Sequence, residues 1–239
     1  MGGSERNVKG YGQFCPVAMG AEVFATRWTP LLLRELMSGS TRFSDLRRGL
    51  PLMSSSLLSQ RLQELCDAGL VEKKIAGDTA GPTYHLTPAG EALRPVVMGL
   101  GMWAHQWLKA RIPEENLDPA LLMWDIRRHF DASSFPAEKR IVVQFDMDGV
   151  KAGTRRYWLL IEGGEVDLCY KRPSDANDIE VHGHIRDLTE IWMGHLRYDR
   201  AIDDGRIEVI AERALRDLFR RSLLLSPFAR QTGASTVGP

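Results

Sequence analysis

The stretch RFSDLRRGLPLMSSSLLSQRLQELCDAG, residues 42–69, decides how the first half of the chain folds. It reads as a short helix, a tight turn and a longer second helix. The turn is Leu50-Pro51-Leu52-Met53, where proline fixes φ and breaks the first helix. Ser54 is the expected N-cap of the second helix, its hydroxyl placed to accept from a free amide of the first turn. Leu58, Leu62 and Leu65 recur at i, i+4 and i+7, and Leu57 widens this apolar stripe. The other face carries Ser55, Ser56, Ser59, Gln60 and Gln63. It is polar, uncharged and short-chained near the helix start, as a helix pressed into a major groove requires. An ordinary amphipathic surface helix fits the same pattern, because helix-turn-helix signals are only modestly specific.

The residues that follow favour the first of these readings. Leu70-Val71-Glu72-Lys73-Lys74-Ile75 reads as a strand, Ala76 to Pro82 as a Gly/Pro turn, and Thr83-Tyr84-His85-Leu86-Thr87 as the returning strand. A hairpin directly after the second helix makes a winged helix. Lys73 and Lys74 then stand on the wing, where they can meet phosphate or the minor groove.

Ahead of this core, Val17, Ala21, Phe24 and Ala25 form a helical stripe, and Pro30 stands where a further helix starts. Leu32, Leu33, Leu36 and Met37 supply that helix's buried face. Behind the wing, Thr87 and Pro88 cap and open another helix. Its Leu93, Val97, Leu100, Ala104 and Trp107 follow the 4-3-4-3 spacing of a coiled-coil seam, with Trp103 beside it. Pro95, Gly99 and Gly101 predict a bend.

Several blocks stand in the order of a family pattern: Cys15-Pro16-Val17, Arg27-Trp28-Thr29-Pro30-Leu31-Leu32-Leu33-Arg34-Glu35-Leu36, Arg42-Phe43-Ser44-Asp45-Leu46, Leu58-Ser59-Gln60-Arg61-Leu62, Glu64-Leu65, Gly69-Leu70-Val71 and Tyr84-His85-Leu86-Thr87-Pro88-Ala89-Gly90. Over about residues 14–108 the chain resembles the HxlR-type winged-helix transcriptional regulators. Arg27 departs from the usual lysine but keeps the charge. The resemblance implies homodimers formed by the flanking helices, which would bury the Leu93–Trp107 seam. The alternative is that the seam packs on its own domain or on the C-terminal one.

With 239 residues, two domains are expected; 44% hydrophobic and 26% charged residues describe an ordinary soluble globular protein. The zero net charge hides an asymmetry. Residues 1–112 hold 13 Lys/Arg against 9 Asp/Glu, and residues 113–239 hold 18 against 22. The positive half contains the helix-turn-helix, as a DNA module would. Cys15, Cys66 and Cys169 form neither a metal spacing nor a disulfide framework, which fits a reducing cytosol. No signal peptide is apparent, and no apolar run approaches the roughly 20 residues of a membrane span.

From Leu117 the pattern changes. Leu117 to Phe130 is helical. Ile141–Phe145, Tyr157–Ile161 and Val166–Tyr170 read as strands, the last two joined by a Gly163-Gly164 hairpin turn. Ile179–His182 is a short strand, His184–Leu196 a helix, Gly205–Ile210 a last strand, and Leu215 to Leu223 a last helix. Antiparallel strands with segregated helices make an α+β domain. The hairpin, the stretch Asp187-Leu188-Thr189-Glu190-Ile191-Trp192-Met193-Gly194, and Gly205-Arg206-Ile207-Glu208-Val209 resemble the sterol-carrier-protein-2 type domain over about residues 117–225. That resemblance implies an apolar cavity between sheet and helices for a lipophilic ligand. Trp124, Phe145, Trp158, Trp192 and Leu196 are candidates for its lining, and plain core packing is the alternative for each.

The expected organisation is a flexible N-terminus (1–13), a winged-helix DNA-binding and dimerisation domain (14–112), an α+β domain with a mainly antiparallel sheet (117–228) and a disordered tail (229–239). Ser55, Ser56, Ser59 and Gln60 would face base edges, Gln60 most specifically because its amide can pair with adenine in two places. Arg42, Arg61, Lys73 and Lys74 would hold phosphates; for Arg61 a salt bridge to Glu64 or Asp67 is the alternative. Two modules in a dimer would span half-sites about 34 Å apart, so the expected partner is double-stranded DNA with a roughly palindromic operator. Cys15 stands where the resembled family often carries a redox-sensing thiol, and Arg27 would lower its pKa if the fold brings them together; a small buried hydrophobe is the alternative.

Enzyme chemistry finds little support. His182-Gly183-His184 has only His195 as a nearby third ligand, Asp146-Met147-Asp148-Gly149 begins like a calcium loop without the rest, and no nucleophile elbow or phosphate loop occurs. No metal or cofactor is expected. The reading is a cytoplasmic, dimeric, non-enzymatic DNA-binding regulator tuned by a small lipophilic effector or by thiol oxidation. The alternative of another class is a lipid or small-molecule carrier whose winged helix serves for dimerisation.

Overall fold

A computed structural model describes residues 10–75, 81–108, 112–173 and 176–232. The wing tip (76–80), most of the expected flexible N-terminus (1–9) and the end of the expected tail (233–239) lie outside the described residues. The chain divides into two compact units, Met1–Val97 and Met98–Pro239.

The first unit begins with α1 (Pro16–Phe24), which buries none of its residues. Of the stripe Val17, Ala21, Phe24 and Ala25, Phe24 packs against the core from its edge and the rest is a largely open face. Trp28 then takes a left-handed backbone conformation, φ 79°, before α2 (Thr29–Met37). That conformation costs a non-glycine residue about 1–3 kcal/mol. Trp28 packs against the core, and the Arg27 guanidinium lies 5.4 Å over its ring. Helix α3 (Phe43–Gly49), the turn at Pro51 and helix α4 (Ser55–Asp67) form the helix-turn-helix. Leu32 and Leu33 of α2, Leu46 of α3 and Leu58, Leu62 and Leu65 of α4 close one apolar core. The i, i+4, i+7 spacing of α4 is what puts its three leucines on that side.

Strands β1 (Val71–Ile75) and β2 (Pro82–Leu86) pair antiparallel, Val71 opposite Leu86, and Arg42 bridges to Thr83 beside them. Helix α5 (Pro88–Glu91) follows. The Thr87 hydroxyl accepts from the Gly90 amide at 3.2 Å and donates to the Gly69 carbonyl at 2.7 Å. Gly90 is required there, since a Cβ would lie 2.1 Å from the Leu70 carbonyl oxygen. The single helix read from Thr87 onward is broken: α5 ends, and α6 (Arg94–Trp107) restarts after a turn. Pro95 explains the position. In a continuous helix its ring would collide with the Glu91 carbonyl four residues back, whereas near a helix start it is tolerated.

The second unit is α+β. Helix α7 (Pro119–His129) is capped by Asp118, which accepts from the amides of Ala120 and Leu121 at 2.8 and 3.1 Å. Then come β3 (Ile141–Asp148), β4 (Arg156–Glu162), β5 (Glu165–Cys169), β6 (Ile179–His184), α8 (Ile185–Trp192), α9 (Tyr198–Asp203), β7 (Ile207–Ala211), α10 (Arg213–Ser222) and α11 (Pro227–Thr232). Residues 229–232, expected to begin the disordered tail, thus belong to a helix. The sheet order is β5-β4-β3-β6-β7. Three neighbouring pairs are antiparallel; the central pair β3–β6 is parallel. The β4–β5 turn has φ of 60° at Gly163 and 82° at Gly164, as a type I′ hairpin demands. One sheet face carries Val143, Phe145, Leu159, Val181 and Val209 into a core with Ile126 of α7, Ile191 of α8 and Phe219 of α10.

Candidate functional site

Two places in the fold can carry function: the exposed side of α4 with its wing, and the apolar interior of the second unit.

At α4, the Ser54 hydroxyl accepts from the Leu57 amide at 3.3 Å, making it the N-cap. Capping leaves the first-turn residues Ser55 and Ser56 pointing outward, and Ser55, Ser56, Ser59 and Gln60 are all exposed. Short hydroxyls at a helix start let the backbone approach a groove floor closely. The Gln60 amide donates to Glu64 at 2.9 Å, so the side chain that could read a base is held along the helix by an i, i+4 partner. Arg61 pairs with the same Glu64. One carboxylate therefore restrains two of the candidate DNA residues, and the i, i+4 spacing was the signal for the first of these contacts. Gln63 is likewise held by Asp67 at 2.8 Å. All of these pairs are surface contacts of small net value, which a phosphate or a base edge can replace.

Arg42 sits exposed at the start of α3, next to β2. Lys73 and Lys74 are exposed on β1, Lys74 in an ion pair with Glu72 at 2.6 Å. Successive strand residues point to opposite sides. The two lysines thus stand on opposite faces of the wing, and a duplex lying against one face meets only one of them directly.

In the second unit a narrow, partly enclosed apolar cavity of about 10 Å³ lies in the core, enough for roughly one water. Phe145 and Trp192 are on its wall; the other three residues expected there are not. Leu196 is in the same core without reaching the cavity. Trp158 pairs across the sheet with Gln144, the neighbour of Phe145, so its side chain points to the opposite sheet face. Trp124 is buried outside this core, with Arg127 and Arg128 at 5.2 and 5.8 Å from its ring. Residues that sequence reading did not single out complete the wall, among them Tyr198, Ile207 and Phe219.

Cys15 immediately precedes α1 and is partly exposed. It makes no capping hydrogen bond of good geometry, yet the amides of Ala18 and Val17 at the helix start hold its thiol below the ordinary value. The cause is the helix terminus and not Arg27, whose guanidinium lies on Trp28. Burial pushes the Cys66 thiol the other way.

The three histidines that hinted at metal serve separate ends. His182 contacts Glu180 at 3.3 Å, His184 accepts from the Arg186 amide at 3.2 Å, and His195 stacks on His105 at 5.0 Å. Asp146 pairs with Arg155 and Arg156. Among the described residues no three His, Cys, Asp or Glu side chains form a metal-ligand group, and no helix is long and apolar enough to cross a membrane.

Comparison with known proteins adds the following. The model of the HxlR-like helix-turn-helix family matches residues 23–112. The chain is 34% identical over 98 residues to the uncharacterized HTH-type transcriptional regulator YvaP of Bacillus subtilis, spanning 40% of this chain and 91% of that protein. It is 33% identical over 95 residues to the HTH-type transcriptional regulator YodB of Bacillus subtilis, spanning 39% and 85%. The solved structure of the redox regulator HypR in its reduced form is similar at 27% identity and a TM-score of 0.38, covering 40% of this chain and 95% of HypR.

Proposed function

The chain belongs to the HxlR-like helix-turn-helix family through its first half, and from that premise we propose that it is a cytoplasmic DNA-binding transcriptional regulator acting as a homodimer. The observation that carries the proposal is the bare polar start of α4. Four uncharged hydrogen-bonding side chains stand exposed there on a helix whose other face is locked into a leucine core. Ser55, Ser56, Ser59 and Gln60 read base edges, while Arg42, Arg61 and the wing lysines hold phosphates.

Dimerisation accounts for apolar side chains that the single chain leaves open. Phe14, just ahead of α1, is 99% exposed and Val17 on α1 78%, and Trp103 is 52% and Trp107 66% exposed on α6. Exposed apolar side chains of this size, at each of these places, mark interaction surfaces. With two modules the operator is roughly palindromic, its half-sites about 34 Å apart.

The winged-helix domain is assigned to residues 14–112 and the second domain to 117–228. The second domain is read as a sterol-carrier-protein-2 type domain, a reading supported by its α+β sheet and apolar interior, and that interior takes a small lipophilic effector that tunes DNA binding. Oxidation of Cys15 is a second input, favoured by the helix-start amides that promote its thiolate.

Selecting genomic fragments with the purified full chain and measuring their affinity by fluorescence anisotropy tests this reading. A short, inverted-repeat consensus bound by a dimer is the expected outcome. Copurified lipid with no DNA affinity at low salt would favour the carrier reading instead.

A further inference from the structure

The second unit has an open groove of about 610 Å³ between α9, β7 and α10. Tyr198 and Ile207 line both this groove and the narrow apolar cavity behind it. The Tyr198 ring is therefore part of the partition between an open space and an interior one. Its hydroxyl is buried and, among the described residues, finds no hydrogen-bond partner. A buried phenol normally finds a partner, so an orphan one calls for an explanation. Beside it, Asp199 of α9 and Arg220 of α10 form an ion pair at 2.5 Å across the groove. Both partners are substantially exposed, and such a pair is weak enough to open thermally.

We propose that the groove is the mouth of the effector site: Tyr198 is its door, the Asp199–Arg220 pair its latch, and the occupant a neutral or cationic amphiphile with one hydroxyl or amine on an apolar body. This rests on the reading of the second domain as a binder of lipophilic effectors. The interior supplies apolar walls, including Phe145, Trp192 and Phe219, for the ligand's body. The Tyr198 hydroxyl is a polar anchor where the body meets the groove. Burial pushes its pKa up to about 12, which keeps it a neutral group able to donate or accept. The charge of the mouth selects the head group. Asp199, Asp203, Glu208 and Asp217 supply four carboxylates against the two guanidinium groups of Arg216 and Arg220. A net negative rim repels a fatty-acid anion and tolerates an alcohol or an amine. The cavity's volume is far smaller than any such ligand, so entry requires the door to swing and the cavity to merge with the groove.

The test uses the full chain with Nile red as a neutral reporter, displaced by 1-decanol, decylamine or decanoate. Decanol and decylamine are expected to compete at least about tenfold better than decanoate, a difference of about 1.4 kcal/mol. Tyr198→Phe should weaken decanol by roughly two- to tenfold, the value of one hydrogen bond, and leave Nile red unchanged. Tyr198→Ala and Asp199→Asn should each speed Nile red association. Should Tyr198→Ala fail to fold by circular dichroism, the Phe variant and the head-group order still decide. Binding that is indifferent to every one of these variants, or decanoate matching decanol, overturns the door and its selectivity while leaving a lipophile site standing. Absence of Nile red, decanol and decylamine binding in both wild type and Tyr198→Ala overturns the lipophilic-effector reading itself, and the door with it.

Discussion

The helices that flank the winged helix and the sheet-and-helix unit that follows treat their apolar residues in opposite ways. Helix α1 buries nothing, and α6 buries Val97 but leaves Trp103 and Trp107 largely in solvent. The second unit gathers its strand and helix side chains into one core, with a cavity no larger than a water. The difference teaches that apolar periodicity alone does not say where a face is buried. In α6 the seam spacing describes a face left largely in solvent, whereas in β3 and β4 similar apolar density is satisfied within the fold.

The largest effects should come from the two cores. Leu62→Ala in α4 is expected to cost about 2–5 kcal/mol, and Phe219→Ala in α10 about 3–5 kcal/mol. Both residues are almost fully buried. In calorimetry Leu62→Ala should lower one transition and Phe219→Ala another; a single transition moved equally by both would break the contrast between the units. Next in size is the open face. Trp103→Glu combined with Trp107→Glu should weaken the proposed dimer on the order of thirtyfold or more, as loss of an aromatic anchor costs about 2 kcal/mol. Sedimentation showing an unchanged dimer would move the interface elsewhere.

DNA contacts come third. Gln60→Ala should lose about 1–3 kcal/mol of discrimination at one base position, visible in competition anisotropy with substituted operators. Lys74→Ala should lower the salt slope by about one with little change in sequence preference. Since the lysines face opposite sides of the wing, Lys73→Ala and Lys74→Ala are expected to differ; identical effects would argue for a wing that meets DNA edge-on.

The smallest effect is on pH dependence. Burial, reinforced by neighbouring His195, lowers the pKa of His105 below the ordinary histidine value. In the unfolded chain this imidazole takes its proton near pH 6.5, in the folded protein only at lower pH. The unfolded state then binds more protons, so stability is full above about pH 6.5 and falls as the pH drops toward the folded value. His105→Gln should flatten that acid slope in thermal melts, and an unchanged slope would assign it to other groups.

Much of the first unit was legible before any coordinates. Ser54 caps α4, Pro51 makes the turn, and the leucines of α4 face the core, because each follows from local chemistry and helical period. The contact of Gln60 with Glu64 was readable from the same period and went unread. Other features needed the fold. The break before α6 depends on a collision between Pro95 and the Glu91 carbonyl, which competes with the helical pattern on either side. Trp158 was misjudged because both alternating sets of β4, Tyr157-Leu159-Ile161 and Trp158-Leu160, are apolar, so parity alone could not tell the core face from the outer one. The groove between α9 and α10 brings together Asp199 and Arg220, 21 residues apart, and no sequence pattern announces such a meeting.

By itself the sequence determined the helix-turn-helix, the hairpin after it and the α+β character of the second half, since caps, turn residues and hydrophobic period act within a few residues of one another. Only the tertiary structure decided which apolar residues line the cavity and which stay in solvent, and that Tyr198 stands between cavity and groove. Those outcomes depend on strand register and on helices packed from distant parts of the chain, and register turns on pairing partners that a linear pattern does not name.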